Sequence, residues 1–557
     1  MKSVRRVLPL MLLMALVLGF VFPAAAQESQ GGLTDTDGLL TYAAESCDYG
    51  GSIQSITAVD AQTVQFQLCV PDPAFPSKVA FSAMGIVPSE YIESTGGTGE
   101  LVSAPIGTGP YMLENWELGS EIVLTRNDSY WGGPAPEPTV IFRWNSEAAA
   151  RLVELQSGTV DGIDNPAPGD FDVIEADPNL ALYPREGTNI FYLGINNTVE
   201  PFGNVKVRQA LAYAIDKQRI IDNFYPAGST AATQFMPSVI FGYTEEVEPF
   251  AYDPEMARTL LAEAAAEDGF ELPIETTLSY RDVVRSYLPQ PGIVAQDLQA
   301  QLAEVGINVT IDVQESGTFL DNADEGLLSL HLLGWGADYP DATNFLDYHF
   351  GAGANNQFGD KFDEIIEPLT AGAQLADPAE RYPYYIEANT AIRDLVPMIP
   401  IAHGGSGVAF RAPIIGAHSS PLGNEQLSVM EDPDDDNLVW MQNGEPAGLY
   451  CADETDGEAL RVCEQIVEAL LAYETAGTAI VPALATEWEA SEDLTTWTFT
   501  LRDGVTFHDG SAFDANDVVM SYGVQWDAGN PLHVGRDGSF TYFQAFFTQF
   551  LNAPATE

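Results

Sequence analysis

The sequence predicts an α/β protein built from several subdomains, and three observations carry that prediction. A strand–helix–strand unit spans Pro273 to Val313: a strand from Pro273 to Tyr280, a helix around Val294, Leu298 and Leu302 ended by Gly306, then the alternating run Ile307, Val309, Ile311, Val313. Elsewhere strands meet through short turns, as where Trp497, Phe499 and Leu501 alternate before Asp503-Gly504 and Val505 and Phe507 continue before Asp509-Gly510. The chain has 557 residues, so at about 150 residues per domain it holds three or four units. Its 46% hydrophobic and 10% aromatic content is enough to bury several cores, which excludes a disordered chain.

In chain order, Lys2, Arg5 and Arg6 precede the apolar run Val7 to Phe22, and Ala24-Ala25-Ala26 supplies small residues before Gln27. This is the pattern of a cleavable secretory signal over residues 1–26. The run is shorter than the roughly 20 residues a membrane span needs. No Cys follows it before Cys47, so a lipid-modified Cys at the cleavage point is not expected. The mature protein is expected to be exported, periplasmic or extracellular, and soluble.

The 81 Asp and Glu against 22 Lys and Arg give a formal charge of -59, which repels nucleic acid and anionic membrane surfaces and excludes nucleic acid as a partner. Removal of the signal takes away three positive charges and no negative ones. Only five of the basic residues are Lys. An acid excess with few lysines fits a protein facing high salt, and it equally fits compositional drift in a high-GC genome; either way it concerns solubility and steering.

Four Cys in an exported chain predict disulfides. Cys451 and Cys463 are close in sequence, with Leu460, Ile466, Val467 and Leu470 marking a helix expected to start beside the second. Cys47 and Cys69 flank a hairpin in which Val64, Phe66 and Leu68 alternate and Asp60-Ala61-Gln62 turns. Bridges Cys451–Cys463 and Cys47–Cys69 are expected, each stabilising by about 2 to 4 kcal/mol.

A helix is expected from Asn204, its N-cap, through Val207, Leu211, Ala214 and Ile215 to Ile221. A second opens at Asp253-Pro254 and stops near Gly269, and another runs from Asp514 to about Tyr522. A strand from Leu327 to Leu333 leads into Gly334-Trp335-Gly336-Ala337-Asp338-Tyr339, with Pro340, Asp341 and Asn344 beyond. Ligands of open α/β sheets gather outside the carboxyl ends of strands, which makes this loop the first candidate site. The competing reading has Asp338 capping a turn beside a buried Trp. The acidic run Glu431 to Asn437 reads as a solvated linker, since the glycine and terminal Glu of a calcium loop are missing.

His403-Gly404-Gly405-Ser406 has no nucleophile elbow beside it, and no phosphate loop, dinucleotide fingerprint or zinc spacing occurs. Neither catalytic residues nor a cofactor or metal is expected, and the chain does not read as an enzyme.

Several phrases together carry a resemblance. Leu484 to Tyr522 (LATEWEASEDLTTWTFTLRDGVTFHDGSAFDANDVVMSY) resembles the start of mature extracellular solute-binding proteins of family five, the peptide, nickel and oligosaccharide receptors of ABC importers. Pro105 to Gly133, with GTGPY and YW, Glu154 to Ile163, Pro201 to Lys217 and Gly334 to Leu346 resemble later segments of that family. The order differs from the family's, because the initial block comes last. The resemblance therefore implies a circularly permuted two-lobed fold of the large three-subdomain type, with the customary termini fused through Ser419 to Asn437.

It further implies a small subdomain from 31–104 and 482–557, the main part of lobe one from 105–198 and 405–481, and lobe two from 199–404. Hinge crossovers are implied near Asn196-Asn197 and His403-Gly404. In peptide-binding members the carboxylate at the position of Asp338 pairs with the ligand α-amino group, and main-chain groups at Trp335, Gly336 and Ala337, beside Tyr339, pair with the peptide backbone as an added strand would. No basic residue for the ligand carboxylate is assigned. The implied function is a monomeric receptor that closes on di- or oligopeptides and hands them to a membrane permease. An oligosaccharide or other organic solute is the alternative ligand, and an exported hydrolase the alternative class.

Overall fold

The computed structural model describes residues 30–554, apart from 227 and 284. The secretory segment read over 1–26 lies outside the described residues.

Three sheets organise the chain. The first is fully antiparallel and draws on both ends of the sequence, in the order Gly31–Thr36, Leu39–Ala44, Ile53–Asp60, Thr63–Leu68, Thr496–Leu501, Ala485–Ala490. Thr496–Leu501 pairs directly with Thr63–Leu68, bringing Trp497 opposite Phe66 and Phe499 opposite Val64. The alternation of Val64, Phe66 and Leu68 places all three inside the core. Cys47–Cys69 and Cys451–Cys463 are both bridged. The helix beside the second bridge, Gly457–Cys463, ends at Cys463 where the sequence predicts a start; Ile466 and Leu470 instead lead into the short strand Leu471–Tyr473.

The second sheet runs Thr230–Ala231, Met398–His403, Asn189–Ile195, Leu330–Gly336, Ile274–Arg281, Ile307–Gln314. Its central strand is buried on both faces: Phe191, Leu193 and Ile195 enter one core, Ile190 and Tyr192 another. The third sheet orders Tyr111–Glu117, Glu121–Arg126, Thr139–Trp144, Asn437–Gln442, Gly162–Asp164, Ser406–Arg411, Leu180–Arg185. One continuous core underlies the first and third sheets.

Two sequence boundaries shift. Asn189–Ile195 pairs with Leu330–Gly336 and Met398–His403, so the chain crosses from the third sheet to the second at 186–188, not near Asn196-Asn197. Those asparagines tie loops within the second unit: Asn196 Nδ2 donates to Gly326 O and Asn197 Nδ2 to Asp360 O, both at 2.7 Å. The Asn204 helix breaks after Ala214 and a second begins at Lys217, capped by Asp216, whose side chain accepts from Arg219 N. The acidic run is only partly solvated, because Asp432 is buried against Arg411 at 3.1 Å.

Candidate functional site

The predicted loop at Gly334 is strand as far as Gly336, paired antiparallel with Asn189 and Ile190. Ala337 N–H donates to Thr188 O at 2.8 Å. Alternation along an antiparallel ladder then turns the main-chain groups of Trp335 and Ala337 toward residues 190 and 188, and those of Gly336 toward the other edge. On that edge Ile274–Arg281 pairs only as far as His331, so Gly336 meets no strand among the described residues. Of the three main-chain positions named from sequence, Gly336 is the one whose groups face an open edge.

Asp338 follows at the strand's carboxyl end, half-buried. Its N–H donates to Asn344 Oδ1 at 3.0 Å, and Asn344 Nδ2 donates back to Asp338 Oδ2 at 3.0 Å. Asn344 Oδ1 also accepts from Trp335 Nε1 at 3.2 Å. Burial raises the Asp338 carboxyl above the ordinary aspartate range, and the Asn344 bond partly offsets it. Among the described residues no Lys, Arg or His forms an ion pair with Asp338. The Trp335 indole stacks on Tyr348 at 4.4 Å, which makes it a wall of the site.

Tyr339 reaches across to the other unit and is buried in the core of the first and third sheets. Its ring meets Phe546 edge-on at 5.4 Å, and Lys78 Nζ lies 5.2 Å from its centroid. Lys78 is paired with Asp72 at 2.6 Å. Tyr542 and Phe81, with rings 4.6 Å apart, continue this wall. The Tyr542 hydroxyl is pushed up to about 12 by burial and then by the charge of Asp338.

Behind Tyr339, Arg381 grips Asp341 with two bonds of 2.9 and 2.8 Å and donates to Tyr385 OH at 2.7 Å. Beyond this pair opens a cleft of about 790 Å³, bounded by Pro73, Trp488 and Trp497 on one side and Phe241, Pro340 and Arg381 on the other.

At the crossovers, a Cβ on Gly187 would lie 2.4 Å from Gly404 O, so the two connecting segments touch and only glycine fits there. Arg185, the last residue of the outgoing strand, is buried with Asp164 (3.2 Å) and Glu425, and it donates to Ser406 Oγ at 3.2 Å, the first residue of the returning strand. Arg461 completes the cluster, 3.1 Å from Glu425 and 3.2 Å from Asp164. Sequence reasoning missed these residues, as it missed Lys78, Arg381 and Tyr542. They are scattered along the chain, and a buried Arg carries no periodic signal of its own.

A family model described as bacterial extracellular solute-binding proteins, family 5 middle, matches residues 24–357 and 479–539. The chain belongs to family 5 of the bacterial extracellular solute-binding proteins. Family 5 relatives include the dipeptide-binding protein of Escherichia coli, 32% identical over 67% of this chain and 71% of the relative. Heme-binding protein A of Haemophilus influenzae is 31% identical over 67% and 68%. The structure of HbpA2 from Haemophilus parasuis superimposes with a TM-score of 0.65 at 30% identity, covering 68% of this chain and 75% of that one. The family is one of binding proteins with a two-lobed α/β fold. Among the described residues no helix is long and apolar enough to cross a membrane, and no group of three or more His, Cys, Asp or Glu could hold a metal ion.

Proposed function

We propose that this chain is an exported receptor that binds di- or oligopeptides between its two lobes and presents them to the permease of an ABC importer. The observation that carries this reading is Asp338: a carboxylate at a strand end, oriented by Asn344, with no ion-pair partner among the described residues and an open strand edge beside it. A ligand ammonium supplies the missing cation, and a ligand main chain supplies partners for Gly336. The dipeptide-binding relative supports that ligand class. Binding, without bond cleavage, is the whole activity in this reading.

We also infer a permuted chain order. Gln30 N–H donates to Asn552 Oδ1 at 2.7 Å, so the two ends of the described chain adjoin in one subdomain. The acidic run leads directly into Asn437–Gln442, a strand inside the third sheet. Relatives that align over about two thirds of the chain accord with this, because a collinear alignment follows one permuted block and leaves the other.

Mass spectrometry of material released from the natively purified protein tests the ligand class. Peptides with free amino termini are expected; haem or sugars recovered in their place would overturn the peptide reading.

A further inference from the structure

A second cavity, of about 170 Å³, lies on the lobe-one side of the cleft and has room for roughly ten waters. Ala80, Ser82, Asn424, Gln426, Glu464 and Tyr473 line it. Tyr473 connects it to the site already described: its hydroxyl donates to Ser77 O at 2.7 Å, next to Lys78, and after burial its nearest charge neighbours are Glu464 and Tyr339. Ala80 precedes Phe81, whose ring meets Tyr542.

Two observations at this cavity mark it as built for a ligand group. The first is charge. Glu464 has Arg461 as its nearby cation, but Arg461 is already shared between Asp164 and Glu425, which also hold Arg185, while the buried Arg151 guanidinium is taken up by the main-chain carbonyls of Asn145, Asp164 and Asn165. Among the described residues Glu464 forms no ion pair, and it is the carboxylate of this cluster that lines the cavity. Its carboxylate accepts a long hydrogen bond of 3.5 Å from Asn424 Nδ2. Burial accordingly pushes the Glu464 carboxyl up to about 7, against Ser82, Arg461 and Asn424, which pull it down. The second is Ser82, 8% exposed, whose Oγ lies beside that carboxylate and has no other hydrogen-bond partner among the described residues. By contrast Glu468, on the same wall, is saturated by Tyr130, Trp131 and Thr108 and is structural.

We propose that this cavity is a specificity subsite for a cationic side chain of the ligand, of lysine or arginine type, with Glu464 as the recognising carboxylate and Ser82 and Asn424 as polar partners. The proposal deepens the peptide reading and rests on it. A bound ammonium or guanidinium supplies the ion-pair partner that Glu464 lacks, and the low-dielectric wall makes that pairing stronger than at an exposed carboxylate.

Calorimetric titration at pH 8 tests this with Lys-Ala and Ala-Lys against Nle-Ala and Ala-Nle, norleucine being lysine without its charge, and with cadaverine as a cation lacking a peptide backbone. In the wild type one lysine peptide is expected to bind about tenfold to a hundredfold tighter than its norleucine partner. Glu464→Gln, its fold checked by circular dichroism, is expected to remove that difference and leave the norleucine peptides unchanged. Equal affinity of lysine and norleucine peptides for the wild type would overturn the subsite and leave the peptide reading standing, whatever the variant does. Cadaverine binding lost in Glu464→Gln, with no peptide bound, would uphold the cation subsite and overturn the peptide reading. Binding of none of the five probes would overturn both.

Discussion

Asn344 holds Asp338 at both ends, its Oδ1 accepting the main-chain N–H and its Nδ2 donating to the carboxylate, each at 3.0 Å. The same Oδ1 takes the Trp335 indole N–H, so one amide fixes the carboxylate, the turn and the aromatic wall together. Asp338 is thus held in place by a neutral partner that leaves its charge uncompensated. The turn-capping and ligand-pairing roles weighed from sequence become compatible, because Asn344 does the capping.

Asn344→Ala is expected to weaken binding of peptides with a free amino terminus about tenfold, and to move the pH profile. The Asn344 bond lowers the Asp338 carboxyl, so its removal raises it. An ammonium ligand needs the carboxylate ionised, so affinity falls as pH drops through the Asp338 value, which already lies above the ordinary ~3.9. In the variant that fall begins at higher pH. Titrations across a pH series, wild type beside variant, read the displacement.

Glu425→Gln tests the buried cluster at the crossovers. Burial alone would raise the Glu425 carboxyl, but Arg185 and Arg461 outweigh it and hold it down at about 2. A depressed folded value stabilises above the unfolded value of ~4.3, and the stabilisation is lost as pH falls from there toward about 2. At pH 7 the variant should lose about 3 to 5 kcal/mol, since it leaves buried guanidiniums short of a partner. Urea unfolding at pH 7 and at pH 3 should show the gap narrowing in acid.

Asp347→Asn should act in the opposite direction. Asp347 Oδ2 is buried with no hydrogen-bond partner among the described residues, and burial, reinforced by Asp341, pushes the carboxyl up to about 7. A raised carboxyl makes the fold bind a proton that the unfolded chain releases, so wild-type stability falls between pH ~4 and about 7. The variant should be more stable by about 1 to 3 kcal/mol at pH 8 and equal to wild type near pH 4. Thermal unfolding at the two pH values measures this.

The sequence shows clearly what repeats or alternates. Val64, Phe66 and Leu68, the strands from Ile274 and Ile307, and the capped helices at Asp253 and Asp514 stand where their period and caps place them. The crossover was illegible because Asn189–Ile195 is buried on both faces and shows no alternation, while Asn196-Asn197 imitates a turn between domains and is in fact a pair of loop ties. Asp338 was legible through its place after a strand and through the resemblance. The wall around Tyr339 was not, since Phe81 meets Tyr542 and Lys78 meets Tyr339 only after the two ends of the chain fold into one subdomain.

The most direct test of the receptor account is calorimetric titration of wild type and Asp338→Asn with one dipeptide, Ala-Leu, and its N-acetylated form. Asparagine keeps the volume and removes the charge. The account predicts that Ala-Leu binds the wild type and loses about 2 to 5 kcal/mol in the variant, roughly 30-fold to several thousand-fold, while the acetylated form binds both weakly and nearly equally. Equal affinity of the two proteins for Ala-Leu would contradict it, reducing Asp338 to a turn residue and pointing to a ligand without an amino terminus.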